Sequence, residues 1–218
     1  MCAVTKKNVG FPRIFRSYHV PKLQSFDCAV WEAAQATCAS SAFFKPIDIG
    51  VNPQRETFIG GDTGHNNPTL QLLWEAKLAY PESHVACIIS IGAGQTLPTQ
   101  LTTTRWSKAL LFDVALKAIN AIVTNCEQTA QEVAKRFQCR ENLYFRFNVV
   151  QGLQNIEFRH WGKLNEVATH STSYLHFQDV DDQMEIVVDV LYNRPKFVKT
   201  AEIGRLIGNL WLTLLTFC

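Results

Sequence analysis

A glycine-rich segment at residues 60–68 contains the side chains best suited to chemistry in this sequence of 218 residues. It reads G-G-D-T-G-H-N-N-P, so an acid and a histidine lie among glycines just before a predicted helix. Glycines permit sharp turns and close backbone approach, and such a turn can present Asp62 or His65 as an acid or a base. The alternative is a structural turn in which the Asp62 carboxylate bonds to nearby backbone.

No serine in the sequence has the setting of an activated nucleophile. None of the nine serines lies in G-x-S-x-G, the strained strand-to-helix turn that exposes a nucleophilic hydroxyl. Cys87 and Ser90 belong to an apolar run, which favours positions in the core. The sequence therefore offers candidate bases without a recognisable nucleophile.

Metal and cofactor motifs are also weak. The six histidines include no H-E-x-x-H, and the acids at 179, 181 and 182 lack the glycine and closing glutamate of an EF-hand loop. A solvated helix start explains those acids better. The stretch Gly92–Gly94 has G-x-G without the third glycine of a dinucleotide fingerprint. We therefore predict no metal and no cofactor.

Two predicted helices flank the glycine-rich segment. The first begins near Asp27, which can cap it, and ends at Phe43–Pro46. The second begins with Asn67 as its N-cap and Pro68 at its first position. Helical spacing predicts core positions at Val30, Trp31, Ala34 and Cys38 in the first helix, and at Leu70, Leu73, Trp74 and Leu78 in the second.

The rest of the chain predicts alternating strands and helices. The apolar run 85–91 is typical of a buried parallel strand, and 144–150 alternates like a strand. Helical patterns cover 106–137, 161–175 and 182–192, whereas 8–25 is expected to be irregular. This alternation predicts an α/β architecture. We find no repeat or linker, and therefore expect one folding unit.

Composition limits the classes of function. Hydrophobic residues make up 47% of the chain and charged residues 18%, enough apolar side chains for a sizeable core. The net charge of +2 comes without a basic stripe, which argues against nucleic-acid binding. The thirteen uncharged residues at 206–218 are too few to span a bilayer.

Cysteines and the N-terminus indicate a compartment. Seven cysteines occur without C-x-x-C, which argues against a zinc ribbon or a redox motif. The first residues contain no apolar stretch typical of a secretory signal. We expect reduced, mostly buried thiols in a cytoplasmic protein, with peripheral membrane contact as an option.

Several motifs in serial order resemble the patatin-like phospholipase domain of the type common in fungi. Residues 31–46 (W-E-A-A-Q-A-T-C-A-S-S-A-F-F-K-P) are similar to the family pattern W-E-A-A-R-A-T-S-A-A-P-x-F-F-x-P. Residues 66–68 match its N-N-P, and 90–94 (S-I-G-A-G) resemble its S-I-G-T-G. Residues 15–18, 144–149 and 151–153 also fit, so the resemblance extends over about 15–178, the C-terminal half of that domain.

The resemblance implies a three-layer αβα sandwich with a mostly parallel sheet, whose N-terminal part is missing here. It also implies a Ser–Asp dyad, with the serine in G-x-S-x-G and the aspartate in D-G-[GA] before N-N-P. In such a dyad the carboxylate is the base for the serine. Alignment on Asn66–Pro68 places Gly60 at the aspartate position, with Asp62 two residues later. A shift of two residues aims a carboxylate on a tight turn elsewhere. Asp62 is the one candidate left for the base, but we expect it not to replace the missing aspartate.

We therefore expect residues 1–200 to form part of a patatin-like domain and 201–218 to form an apolar tail of unknown role. The expected function is that of a truncated or degenerate lipid acyl hydrolase, inactive as this chain. The alternatives are a non-catalytic module that binds lipid or protein and, less favoured, an esterase with another nucleophile. A lipid surface, or a protein bound through an exposed sheet edge or the tail, is the expected partner.

Overall fold

The structure is a computed structural model. It describes residues 1–20, 23, 26–40, 43–62, 64–95, 114–115, 118–119, 125–154, 156, 160–193, 198–203 and 213–217. The chain divides into two compact units, the first comprising 1–66 and 99–126 and the second 67–98 and 127–218. Most of residues 106–125 in the helix predicted over 106–137, and residues 204–212 and 218 of the tail expected at 201–218, lie outside the described residues.

The first unit contains an antiparallel sheet of four short strands. They are β1 (Cys2–Thr5), β2 (Asn8–Ile14), β3 (Ile47–Ile49) and β4 (Glu56–Phe58), in the order β2-β1-β4-β3. The sequence predicted an irregular segment where β2 forms. Pro12 argued against a strand, because proline cannot donate a hydrogen bond to a sheet. It is tolerated here because β2 is an edge strand, where one side of the backbone needs no partner.

Helix α1 (Val30–Cys38) confirms the first predicted helix. Its start differs from the expectation, because the N-cap is Ala29 rather than Asp27. The backbone N–H of Ala29 donates to the Glu32 carboxylate at 2.7 Å, as in the second half of a capping box. The acid one turn into the helix therefore supports its first turn.

The buried face of α1 also differs from the prediction. Ala33 and Ala36 are buried, whereas Val30 and Trp31 are 80% and 64% exposed. Ala33 and Ala36 pack in one cluster with Ala3 of β1. Small side chains allow a helix backbone to approach a strand closely, so packing distance outweighs side-chain hydrophobicity in setting this face.

Three phenylalanine rings complete the core of the first unit. Phe15, Phe26 and Phe58 contact one another with ring centroids 5.1 to 5.4 Å apart. Their interplanar angles, from 40° to 86°, are tilted or edge-on, the arrangements that aromatic pairs prefer. Phe58 ends β4 two residues before Gly60, so the core anchors the start of the glycine-rich segment.

The second unit contains a parallel sheet of three strands. It consists of β6 (Cys87–Ile91), β7 (Tyr144–Phe147) and β9 (Thr213–Phe217), with β6 in the centre. Strands β5 (His84–Val85) and β8 (Val198–Lys199) form a separate antiparallel pair. Cys87 and Ile88 are fully buried, as the apolar run predicted.

Helices surround these strands in the second unit. They are α2 (Thr69–Ala79), α3 (Cys126–Phe137), α4 (Leu164–Leu175) and α5 (Gln178–Asn193), with 3₁₀ turns at Trp161–Lys163 and Thr200–Glu202. Leu73 of α2 is buried as predicted, but Trp74 is 59% exposed. The Lys77 ammonium lies 5.7 Å from the Trp74 ring centroid and covers part of that ring.

Mixed strands and helices fit the predicted α/β class, but the sheet is not mostly parallel within the described residues. The largest sheet is the antiparallel one of the first unit. The connections between strands account for the two kinds of sheet. A two-residue turn joins β1 to β2 and imposes antiparallel pairing, whereas the longer connection from β6 to β7 includes α3 and allows parallel pairing. The tail predicted at 201–218 contributes β9, so at least this part of it belongs to a sheet.

Candidate functional site

The glycine-rich segment forms a sharp turn at the end of β4. Gly60 and Gly64 have φ angles of 99° and 82°, in the left-handed region that favours glycine. The Gly60 carbonyl accepts a hydrogen bond from the Val4 N–H at 2.7 Å, and the Gly61 N–H donates to the Thr37 carbonyl at 3.2 Å. The turn is therefore fixed between β1 and the end of α1, as its three glycines predicted.

Asp62 is held by a residue that the sequence did not point to. The Ser40 hydroxyl, just beyond the end of α1, donates a hydrogen bond to Asp62 Oδ2 at 2.6 Å. The other oxygen, Oδ1, is buried and accepts no hydrogen bond from the part of the chain that the structure describes. One oxygen is thus oriented by a hydroxyl, and the other retains its capacity to accept a proton or a donor.

The Asp62 carboxylate folds back over Gly60. A Cβ atom placed on Gly60 would lie 2.8 Å from Asp62 Oδ1, 3.0 Å from the Ser40 nitrogen and 3.1 Å from the Ala39 carbonyl carbon. An aspartate's own oxygens lie about 2.4 Å from its Cβ, from standard bond lengths. The Asp62 oxygen therefore lies beside the space that a side chain at residue 60 would enter.

His65, the other candidate acid or base of this segment, makes a different contact. It is half-buried, and burial lowers its pKa, because the charged imidazolium loses hydration. A hydrogen bond with the Val9 backbone raises the pKa and only partly offsets this effect. His65 is therefore mainly neutral at pH 7, with its ring committed to the edge strand β2.

The thiol of Cys2, on the strand beside the turn, is not activated. The Cys2 carbonyl accepts a hydrogen bond from Thr37 Oγ1 at 2.5 Å and lies 2.8 Å from a Cβ atom placed on Gly61. Burial raises the pKa of the Cys2 thiol to about 11, and the N-terminal ammonium lowers it less. A thiol with this pKa remains protonated at neutral pH and is a poor nucleophile.

A second polar cluster lies within the second unit, where β6 and β7 end. Arg146 donates to Ser90 Oγ at 2.9 Å and to Glu127 Oε1 at 2.8 Å. Asn148 donates to the same glutamate oxygen at 2.7 Å and accepts from the Gly94 N–H at 2.8 Å. These bonds link side chains at the ends of two strands to a glutamate on α3, which indicates a structural role. Ser90 is fully buried, so its assignment to the core is confirmed.

Glycines at 92 and 94 allow the backbone after β6 to lie close to this cluster. A Cβ atom on Gly92 would lie 2.4 Å from Asn148 Oδ1, so no larger residue fits without displacing that side chain. The G-x-G signal therefore reflects close approach of a loop to Asn148 within the protein. In the described part of the chain, no three His, Cys, Asp or Glu side chains are grouped to hold a metal ion.

Comparison with curated proteins identifies phospholipases. The chain is similar to "Patatin-like phospholipase 1" of Plasmodium falciparum, with 32% identity over 136 residues, which cover 55% of this chain and 20% of the relative. It is similar to "Calcium-independent phospholipase A2-gamma" of Rattus norvegicus, with 25% identity over 174 residues, 76% of this chain and 21% of the relative. "Phospholipase A I" of Arabidopsis thaliana is 28% identical over 123 residues, 56% of this chain and 9% of the relative.

These relatives support the resemblance to patatin-like phospholipases that the motifs indicated, at the level of a hydrolase family of lipid metabolism. The chain spans at most about a fifth of the length of these relatives. No family model and no solved structure matches it. Among the described residues, no helix has both the length and the apolar character needed to cross a membrane.

Proposed function

We propose that this chain forms the carboxylate-bearing part of a patatin-like lipid acyl hydrolase domain and is inactive by itself. The similarity to phospholipases supports the substrate class, esters of lipids. The observation that carries the proposal is the carboxylate of Asp62, which is hydrogen-bonded to Ser40 and folded over Gly60. The proposal has three further parts: the domain is of the fungal type, this chain is its C-terminal part, and the complete domain is a three-layer sandwich.

Asp62 is the base in this proposal. Motif alignment leaves a glycine at position 60, where the family has its aspartate, but the Asp62 Oδ1 atom lies 2.8 Å from the Cβ position of residue 60. A carboxylate beside residue 60 can accept the proton of a serine that is supplied within about 2.6–3.2 Å of it. The sequence of the chain contains no G-x-S-x-G, so that serine comes from outside these 218 residues.

A chimera tests the base. The upstream half of an active patatin-like relative, with its G-x-S-x-G, is joined to this chain, and hydrolysis of a phospholipid is measured. We expect the chimera to be active and Asp62→Asn to lower kcat by about 10²–10⁴-fold, the usual contribution of general base catalysis. Asp48→Asn is the matched control, since Asp48 is an exposed acid that bonds to Thr57 in the same unit.

The outcomes separate the alternatives. Activity that requires Gly60→Asp and ignores Asp62→Asn would place the base at residue 60 and refute the role of Asp62. A folded chimera without activity in any variant would refute the enzymatic proposal and favour a non-catalytic module. Circular dichroism and limited proteolysis of each protein show whether it is folded.

A second candidate is an esterase that uses Ser40 itself as nucleophile. The bond of 2.6 Å between Ser40 Oγ and Asp62 Oδ2 favours it, because a base within reach is what activates a hydroxyl. The position opposes it, because Ser40 follows the C-terminal end of α1, where the helix dipole disfavours a developing oxyanion. We therefore rank this candidate second.

Labelling of the unmodified chain distinguishes the two candidates. We expect no reaction of purified 1–218 with a fluorophosphonate probe and no hydrolysis of p-nitrophenyl butyrate above background. Stoichiometric labelling that Ser40→Ala and Asp62→Asn both abolish would establish the second candidate. Ser171→Ala is the control, since Ser171 is a partly exposed serine on α4.

We place the protein in the cytoplasm, with peripheral contact to membranes where its lipid substrate resides. Partner proteins bound through an exposed sheet edge or the tail at 201–218 remain part of the proposal. Strand β2 is such an edge, with Val9 and Phe11 47% and 69% exposed. Pro12 and Arg13 on this strand limit its pairing with another strand.

A further inference from the structure

Helix α5 carries an apolar stripe that the described residues of its own unit do not cover. Met184, Val188 and Tyr192 are spaced by four residues and therefore share one face of the helix. They are 40%, 61% and 86% exposed. Together with Glu185 and Asp189 they line an open depression of about 480 Å³.

A different stripe attaches α5 to the protein. Val180, Val187 and Val190 are buried and belong to one core cluster with residues of β6 and β7. These three valines already anchor the helix. The stripe of Met184, Val188 and Tyr192 is therefore an additional apolar surface. Its side chains are not needed to attach the helix to the core.

The rim of this stripe is acidic. Within 178–193 there are five carboxylates and no lysine or arginine. Glu185 and Asp189 immediately border the stripe in the depression. All five acids, namely Asp179, Asp181, Asp182, Glu185 and Asp189, are exposed.

The negative charge of the rim determines which kind of partner fits this surface. Helices that lie on anionic membranes have Lys and Arg on their polar face, whereas this one has only acids. A second copy of this chain, bound through the same face, would place its five carboxylates next to these five, and the repulsion between like charges opposes that contact. A partner with apolar anchors and flanking Lys or Arg complements both the stripe and the rim.

We propose that the stripe of Met184, Val188 and Tyr192, with its rim of Glu185 and Asp189, binds a basic amphipathic helix of a partner protein. The partner's apolar residues contact the stripe, as in other complexes in which a helix lies in an apolar groove. Its Lys or Arg side chains pair with the carboxylates and fix orientation and specificity. This proposal does not depend on the enzymatic one.

The test uses the whole chain and a fluorescein-labelled helical peptide of leucine and lysine, with the leucines on one face. Fluorescence anisotropy should show saturable one-to-one binding that weakens with salt. Val188→Asp should weaken binding about tenfold or more, the loss expected on removing a central anchor. Val51→Asp is the matched control, since Val51 is 79% exposed in the first unit.

Charge reversal provides the second test. Glu185→Lys with Asp189→Lys should weaken binding at least as much as Val188→Asp. The control is Glu132→Lys with Glu141→Lys, which changes the net charge equally at exposed acids outside α5. Circular dichroism confirms that each variant is folded.

Three outcomes would overturn the proposal. One is equal binding of the peptide to the parent, the stripe variant and the rim variant. Another is equal loss in the control variants, which would indicate general electrostatic attraction. The third is tight binding of the parent to phosphatidylglycerol vesicles that Val188→Asp abolishes, which would make the stripe a membrane-contacting surface.

Discussion

Replacing Ser40 with alanine should destabilise the first unit more than replacing the aspartate that Ser40 contacts. Ser40→Ala removes the hydrogen-bond donor of Asp62 Oδ2, while Oδ1 is buried and accepts no hydrogen bond from any described residue. Asp62→Ala leaves only the neutral Ser40 hydroxyl without its acceptor, and a half-buried hydroxyl can rotate to bond with water. Leaving a charged carboxylate without its donor is more unfavourable than leaving a neutral hydroxyl without its acceptor.

The geometry sets the magnitude. Hydrogen bonds to charged groups contribute about 1.5–3 kcal/mol. Both side chains here are only half-buried, so we expect the lower end, about 1.5 kcal/mol, for Ser40→Ala. Asp62→Ala should change the free energy of unfolding by less than about 0.5 kcal/mol, and the double variant should resemble it.

Urea unfolding followed by circular dichroism, in a double-mutant cycle, measures these values. The coupling energy between the two positions should be about 1.5 kcal/mol. Ser173→Ala is the control, because Ser173 is exposed on α4 of the other unit. A coupling energy near zero would show that the Ser40–Asp62 bond does not orient the carboxylate, and would remove the main support for Asp62 as a base.

Three further outcomes follow from the geometry. Gly60→Ala should destabilise the chain by about 1–3 kcal/mol in urea unfolding, because φ is 99° and the new Cβ would contact Asp62 Oδ1. Because the folded pKa of His65 lies below its ordinary value, stability should fall as pH drops through about 6.5, and His65→Gln should reduce this slope in urea unfolding at several pH values. Ile88→Ala, at a fully buried position of β6, should destabilise by about 2–5 kcal/mol in the same assay.

Helices with a regular apolar period were predictable, but the face that each buries was less so. The spacing in α1 predicted Val30 and Trp31 as core residues, yet the alanines Ala33 and Ala36 are buried. Hydrophobicity ranks side chains by the free energy of removing them from water, whereas close packing on β1 requires small ones. Without the position of β1, the sequence contains no measure of that distance.

The candidate site was predictable as a turn and unpredictable as a set of contacts. Glycines at 60, 61 and 64 indicated its sharpness directly. Ser40 gave no signal, because it is 22 residues from Asp62 and the contact depends on where α1 ends. The same holds for Arg146, which meets Ser90 of β6 because the parallel register places the two residues side by side.

The geometry at residue 60 links the glycine at this position to the carboxylate of Asp62. Glycine at 60 permits a φ of 99° and leaves no side chain in the space beside Ser40. Asp62 directs its carboxylate toward that space, so that Oδ1 lies 2.8 Å from the absent Cβ. A larger residue at 60 would displace the carboxylate, and loss of Asp62 would leave the space without an acid. The two positions are therefore physically dependent on each other, and a substitution at either one should be read together with the other.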